Sequence, residues 1–337
     1  MVDVYDVRRR CAQATAIADA AAQALQPPPR HHTDLKSYNH HPQHHGKGQR
    51  YPPATATAPS TTATAYSNNT ATPLRADNTF LKMTNATSSY PLYIKNVPYA
   101  TASRLQTLDI CLPRPLSESP ADAVWVVYIH GGAWRDPLVT SASIYPALTQ
   151  LLSSSTPSSH GTTRPLTHIA GFASINYRLS PYPQHPTCPS LSPTTSIPAR
   201  HEGRNATHPT HVHDVATALR WLRAEYGVGG RGAALPTRDY VVVGHSCGAT
   251  LACQLLDGWL ADEDPAAMEA PVGVAGLCGI YNLPLLAENH AGVPAYEEFL
   301  QAAFGGDESV WLRASPTQLG DAYAHPPSLT LFERLPE

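Results

Sequence analysis

The 337 residues carry 23 Lys and Arg against 26 Asp and Glu, a net charge of −3 with His neutral. That excludes a global attraction to nucleic acid or to an anionic membrane surface and leaves a small neutral molecule as the natural partner. Apolar residues at 42% suffice for one sizeable core, but 33 prolines and only 15% charged residues mark part of the chain as something other than ordinary globular sequence.

In chain order, residues 1–78 are low in complexity, passing from an Ala-rich stretch through Pro27-Pro28-Pro29 and a His-rich tract into Thr, Ala and Ser. Such sequence buries too little apolar surface to offset its ordering entropy and is expected to be disordered. His31, His32, His40, His41, His44 and His45 lie in that tract without a scaffold, so they read as compositional bias and no metal site is assigned to them. Residues 79–337 read as one domain. Leu92 to Val97 and Thr107 to Leu112 form an opening strand pair closed by Pro113. Val124 to Ile129, His168 to Tyr177, Tyr240 to Val243 and Val272 to Ile280 are apolar, β-branched runs of the kind buried on both faces of a sheet. Residues 181–207 form a Pro/Ser-rich insertion, read as a surface loop or a lid. Helical periodicity runs from Val212 to Tyr226 before Gly227, from Cys247 to Leu260, and from Tyr296 to Phe304 before Gly305-Gly306. Strands alternating with helices predict an α/β fold with a mostly parallel central sheet and helices on both faces.

Six cysteines, Cys11, Cys111, Cys188, Cys247, Cys253 and Cys278, show no paired metal spacing, and the chain opens without the apolar core of a signal peptide. No apolar run approaches the roughly 18 residues of a membrane span. The expectation is a soluble cytoplasmic protein with free thiols, acting alone or as a homodimer.

Two motifs carry chemistry. Gly244-His245-Ser246-Cys247-Gly248 matches G-x-S-x-G directly after a buried strand and at the start of a helix, the setting of a nucleophile elbow. The glycines leave room for a strained strand-to-helix turn that exposes Ser246 as nucleophile, and the Cys247 amide at the helix start suits a developing oxyanion. His130-Gly131-Gly132-Ala133-Trp134 follows the Val124 to Ile129 strand, where an HGGG-type loop supplies oxyanion-hole amides, here at Gly131 and Gly132. His130, Ala133 and Trp134 are expected to shape that loop and the pocket.

The His130 to Pro137 run resembles the H-G-G-x-W signature of fungal-type kynurenine formamidases, the arylformamidases of tryptophan breakdown, within the α/β-hydrolase superfamily. Asn176 to Pro181, His208 to Val215 and Gly244 to Ala249 are similar to segments that follow in that family. The resemblance spans about residues 90 to 316. It implies an α/β-hydrolase fold, hydrolysis of the aromatic formamide N-formyl-L-kynurenine to L-kynurenine and formate by a Ser-His-Asp triad, and no cofactor.

The pattern departs from the family after Ser246. The triad order is Ser, acid, His, yet only His290 and His325 follow, and both precede the end of the strand expected over Ser328 to Phe332 that should present the acid. Glu333 is a weak candidate for the acid, Asp307 and Asp321 read as surface charges, and no residue fills the place of the triad His. The last strand, or strands, and the last helix of the family lack counterparts too. The chain as written is therefore expected to have little activity, as an incomplete form of an active enzyme or as a non-catalytic hydrolase-fold binding protein. A broad carboxylesterase is the alternative within the same chemistry.

Overall fold

A computed structural model describes residues 89–153, 165–190, 204–230, 237–256, 269–318 and 328–332. The stretch 1–88, with its His-rich tract, lies outside the described residues, as do 191–203, Asp321, His325 and Glu333. Seven strands form one sheet: β1 (Leu92–Pro98), β2 (Thr107–Leu112), β3 (Val124–Ile129), β4 (Ile169–Ile175), β5 (Tyr240–His245), β6 (Gly273–Leu277) and β7 (Ser328–Phe332), in the order β1-β2-β4-β3-β5-β6-β7. β1 and β2 pair antiparallel, β2 meets β4 antiparallel, and the five strands from β4 to β7 run parallel. This is the mostly parallel sheet that the alternating pattern predicts and that the family resemblance implies.

The helices are α1 (Tyr145–Ser153), α2 (Thr210–Tyr226), α3 (Cys247–Gln254), α4 (Leu283–Asn289), α5 (Pro294–Phe304) and α6 (Glu308–Ala314). Every residue of β3 is buried, because alternate side chains enter two different cores. Trp125, Val127 and Ile129 join the α2 and α3 side; Val124, Val126 and Tyr128 join the α1 side. On the first side Trp125 meets Tyr226 edge-on with centroids 5.3 Å apart, and its ring lies where a Cβ on Gly171 would sit at 2.8 Å. α2 stops where Gly227 adopts φ 71° and donates its amide to Arg223 O at 2.9 Å, a left-handed C-terminal cap that the Gly after the apolar period foretells.

Several expected elements are trimmed. The run from His168 to Tyr177 forms a strand only over Ile169–Ile175, His168 ending a short 3-10 turn, and Asn176 to Ser180 leaves the sheet for the candidate site. The strand expected over Val272 to Ile280 closes at Leu277, where Cys278 takes φ 48°. The helix expected to reach Leu260 is regular to Gln254. α1, α4 and α6 escaped the sequence reading, being seven to nine residues long, about two turns and shorter than the window a helical period needs. Asp307 is an exposed surface charge as expected, and it also serves as the N-cap of α6, accepting the Ser309 amide at 2.9 Å.

Candidate active site

Ser246 sits between β5 and α3 with φ 53° and ψ −124°, a conformation that costs an L-residue on the order of 1–3 kcal/mol and persists only where the surroundings enforce it. The enforcement is visible. The Ser246 amide donates to Leu277 O of β6 at 2.8 Å. A Cβ on Gly244 would stand 2.3 Å from Gly248 O, and one on Gly248 would stand 2.2 Å from Ile129 O and 2.6 Å from His130 O. Both glycines of the motif are thus demanded by backbone packed on backbone. Cys247 and Gly248 are buried beneath the turn, while Ser246 is half-exposed.

The His130 to Trp134 loop lies against this turn. A Cβ on Gly131 would meet Ser246 Cβ at 3.0 Å and His245 Nδ1 at 2.9 Å. Gly132, Ala133 and Trp134 have φ values of 96°, 49° and 57°, three consecutive left-handed residues of which only one is Gly. Gly132 O accepts from the amides of Arg135 and Asp136 at 3.0 and 2.8 Å, and the Trp134 amide donates to Cys247 Sγ at 3.2 Å. Among the described residues none accepts from the Gly131 or Gly132 amide. The first amides of α3, Cys247 included, lack intrahelical acceptors as at any helix start.

Trp134 is fully buried rather than lining an open pocket. It packs edge-on against Phe304 at 5.0 Å and tilted against Phe299 at 6.1 Å, both on α5. His130 is 1% exposed, with Nδ1 2.8 Å from Gly131 O and its ring stacked on Tyr177 at 4.5 Å. Burial lowers its pKa to about 4, so it is neutral at physiological pH.

The segment after β4 braces the loop. Tyr177 Oη donates to His130 O at 3.0 Å and lies 3.3 Å from Gly131 O and 3.6 Å from Cys247 Sγ. Arg178 grips the fully buried Asp214 of α2, with Nη2 to Oδ1 at 2.6 Å and the Arg178 amide to Oδ2 at 2.9 Å. Ser180 donates its amide to Trp134 O at 2.8 Å, and its hydroxyl lies 3.0 Å from His211 Nε2. The described parts of the expected loop or lid, Pro181 to Ser190 and Arg204 to Thr207, form no helix or strand, and the first is fastened to the same loop. Arg135 stacks on Tyr182 at 4.0 Å, and His185 Nε2 approaches Asp136 at 3.4 Å while its Nδ1 accepts the Cys188 amide at 2.9 Å.

Triad partners for Ser246 are not assembled among the described residues: none hydrogen-bonds to its hydroxyl. His290 lies tilted against Tyr296 with centroids 3.8 Å apart and its Nδ1 3.1 Å from Leu286 O. His208 and His211 are held neutral, burial pushing them down to about 4 and about 3. β7 does form where a strand bearing the acid is expected, with Phe332 level with Leu277 and Leu277 level with His245; Glu333 lies outside the described residues. Among the described residues no group of three or more His, Cys, Asp or Glu is placed to hold a metal ion, five cysteines are free, and no helix is long and apolar enough to cross a membrane.

Sequence reasoning missed the bracing role of Tyr177, the Cys247 side chain and the Phe299–Phe304 seat of Trp134. The first had a signal, since Asn176 to Pro181 is one of the motif-like segments; the α5 contacts had none, being joined only by the fold.

No family model matches the chain. Among curated proteins it is 38% identical over 239 residues to the kynurenine formamidase-like hydrolase fscH of Fusarium equiseti, covering 68% of this chain and 70% of that protein. It is 33% identical to kynurenine formamidase avaC of Aspergillus versicolor (62% and 64% covered) and 31% identical to the kynurenine formamidase of Meyerozyma guilliermondii (57% and 55% covered). The chain thus spans less than two thirds of the length of the latter two. Among solved structures, an inhibited esterase B from Lactobacillus rhamnosis aligns with TM-score 0.46 and 17% identity over 71% of this chain and 66% of that one, too loosely to add to the sheet order. With a 38% identical relative covered over more than two thirds of its length, the chain belongs to the fungal-type kynurenine formamidase family of α/β-hydrolases.

Proposed function

We propose that this protein is built to hydrolyse a small aromatic formamide, N-formyl-L-kynurenine, to L-kynurenine and formate, with Ser246 as nucleophile. The observation that carries the reading is the strained φ of 53° at Ser246 with Gly131 against its Cβ, a geometry that suits a nucleophile beside oxyanion-binding amides. Ser246 Oγ attacks the formyl carbon while its proton passes to a base. The carbonyl oxygen, now anionic, is received by amides of Gly131, Gly132 and Cys247. The C–N bond then breaks, the aniline nitrogen takes the proton, and water clears the formyl-serine as formate. The relatives named kynurenine formamidase support the substrate class. No cofactor enters these steps.

Among the described residues no histidine is placed to act as the base. The test is labelling by a fluorophosphonate probe with and without added imidazole, beside turnover of N-formylkynurenine and p-nitrophenyl acetate. Labelling lost in Ser246→Ala together with formamide hydrolysis fits the proposal. Hydrolysis of the ester alone would move the protein to the carboxylesterases, and labelling indifferent to Ser246→Ala would leave a hydrolase fold without the chemistry.

A further inference from the structure

Tyr177 is 1% exposed and lies outside both motifs, yet its hydroxyl reaches three groups of the candidate site at once: His130 O, Gly131 O and Cys247 Sγ. Burial pushes its pKa well above the ordinary value, and burial pushes Cys247 up to about 11, so both keep their protons at neutral pH. The proton order follows from the acceptors. Carbonyl oxygens cannot donate, so the phenol proton goes to the two carbonyls, nearer His130 O at 3.0 Å than Gly131 O at 3.3 Å. The Cys247 thiol is left to donate to the phenol oxygen while its sulfur accepts the Trp134 amide.

A trans peptide is planar, and its C=O and N–H point in opposite directions. The peptide carrying His130 O also carries the Gly131 amide; the one carrying Gly131 O also carries the Gly132 amide. His130 Nδ1, at 2.8 Å from Gly131 O, holds the second carbonyl on the same side. Once both carbonyls are drawn to Tyr177, both amides must face away from it. Those are the two loop amides without an acceptor among the described residues, and Gly131 abuts Ser246.

We infer that Tyr177 is the positioning residue of the oxyanion site: its single hydroxyl fixes the orientation of the two peptide planes whose amides meet the substrate oxygen. The inference rests on the reading of Ser246 as nucleophile. Glycine is what makes the brace necessary, because Gly131 and Gly132 place no side-chain restraint on their own planes, and the flexibility that admits a substrate carbonyl would also let the amides turn away. Stacking of the Tyr177 ring on His130 at 13° between planes keeps the imidazole in place to hold the second carbonyl.

The test is Tyr177→Phe, which keeps the ring and its stack on His130 and removes only the hydroxyl. The full chain is reacted with a fluorophosphonate probe, separating reversible binding from the bond-forming rate. Losing an oxyanion donor outright costs about 10²–10³ in rate, so misaligned donors should slow phosphonylation by about 10- to 100-fold with the binding constant unchanged. Tyr240→Phe is the control, since Tyr240 Oη also donates from a buried site to a carbonyl, Glu269 O at 2.8 Å, but at the opposite end of β5; it should label at the parent rate. Ser246→Ala reports on the underlying reading: if it labels like the parent, that reading fails. The second measurement does not need a reactive serine. In 15N-glycine-labelled protein the Gly131 and Gly132 amide resonances should move in Tyr177→Phe and stay put in Tyr240→Phe. Labelling of Tyr177→Phe at the parent rate, in protein where Ser246→Ala is dead, overturns the inference, and so do unmoved Gly131 and Gly132 resonances.

Discussion

The sulfur of Cys247 accepts the backbone amide of Trp134 at 3.2 Å, joining two motifs that lie 113 residues apart in the chain. The variable position after the nucleophile is therefore part of the structure here. Its amide heads α3, and its side chain pins the far end of the His130 to Trp134 loop, just where three left-handed residues return the backbone to the core. Tyr177 holds the near end, so the loop is fixed from both sides.

Cutting that pin should be visible in stability. Cys247→Ala leaves the Trp134 amide buried without an acceptor, a penalty of about 1–3 kcal/mol, read as a lower urea midpoint with unchanged m-value. The same burial protects the thiol. Iodoacetamide followed by peptide mass spectrometry should modify the exposed Cys278 in the native protein while Cys247 and Cys111, pushed up to about 11 and about 12 by burial, stay unmodified until unfolding. Rapid native alkylation of Cys247 would contradict the packing described.

The elbow glycines should be among the least replaceable residues in the chain. A Cβ at Gly248 would lie 2.2 Å from Ile129 O, and backbone of a central strand cannot yield as a side-chain tip can, so Gly248→Ala is expected to cost about 3 kcal/mol or more. Gly306→Ala is the matched control, with nothing within 4 Å of the added methyl and no positive φ, and should change the melting temperature little. Equal melting temperatures for the two variants would mean that β3 and the elbow are further apart than described.

How much of this was written in the sequence depends on the range of the interaction. β3 and β5 were legible because continuous apolar, β-branched runs bounded by Pro, Gly or polar residues mean a buried strand whatever surrounds them. The elbow was legible because Gly244 and Gly248 flank Ser246 at a strand-to-helix junction. The early end of β6 was not: Cys278 and Gly279 continue an apolar run, and the chain turns there because Tyr281 fills the space beside Gly276 and Gly279. Nor could the sequence connect Tyr177 to the 130 loop or α5 to Trp134. Those contacts bridge 46 and more residues, and local pattern carries no information on what tertiary packing brings together. The triad is a separate matter: Glu333, the weak candidate for the acid, lies outside the described residues, and the sequence reading assigns no residue as the base.

Asp214 offers a test of how the Asn176 to Pro181 segment is held. The carboxylate is fully buried and receives the Arg178 guanidinium and amide as well as Gln106 Nε2 at 2.8 Å. Removing one partner of a buried pair strands the other, at a cost of about 3–5 kcal/mol. Asp214→Ala should therefore unfold at a distinctly lower urea concentration than Thr217→Ala, one turn away on α2, where a half-buried residue's hydroxyl donates to His213 O. If the two variants unfold together, the ion pair is not what secures this segment.

The buried histidines set the direction of the pH response. Burial lowers His130 and His208 to about 4 and His211 to about 3, against about 6.5 in an unfolded chain. Below pH 6.5 the unfolded state binds protons that the native state refuses, so the stability these residues contribute is complete above pH 6.5 and drains away as the pH falls toward 4. Each histidine adds a slope of up to about 1.4 kcal/mol per pH unit, and the three together on the order of 3 kcal/mol between pH 6 and 5. The urea midpoint should accordingly drop over that interval. His211→Asn should flatten the drop, by at most about a third of that slope, because one of the depressed groups, which also include His245, is gone. A midpoint that holds steady or rises between pH 6 and 5 would mean that these imidazoles meet water or an anion in the native protein, and the neutral, sealed environment around His130 and Tyr177 would have to be redrawn.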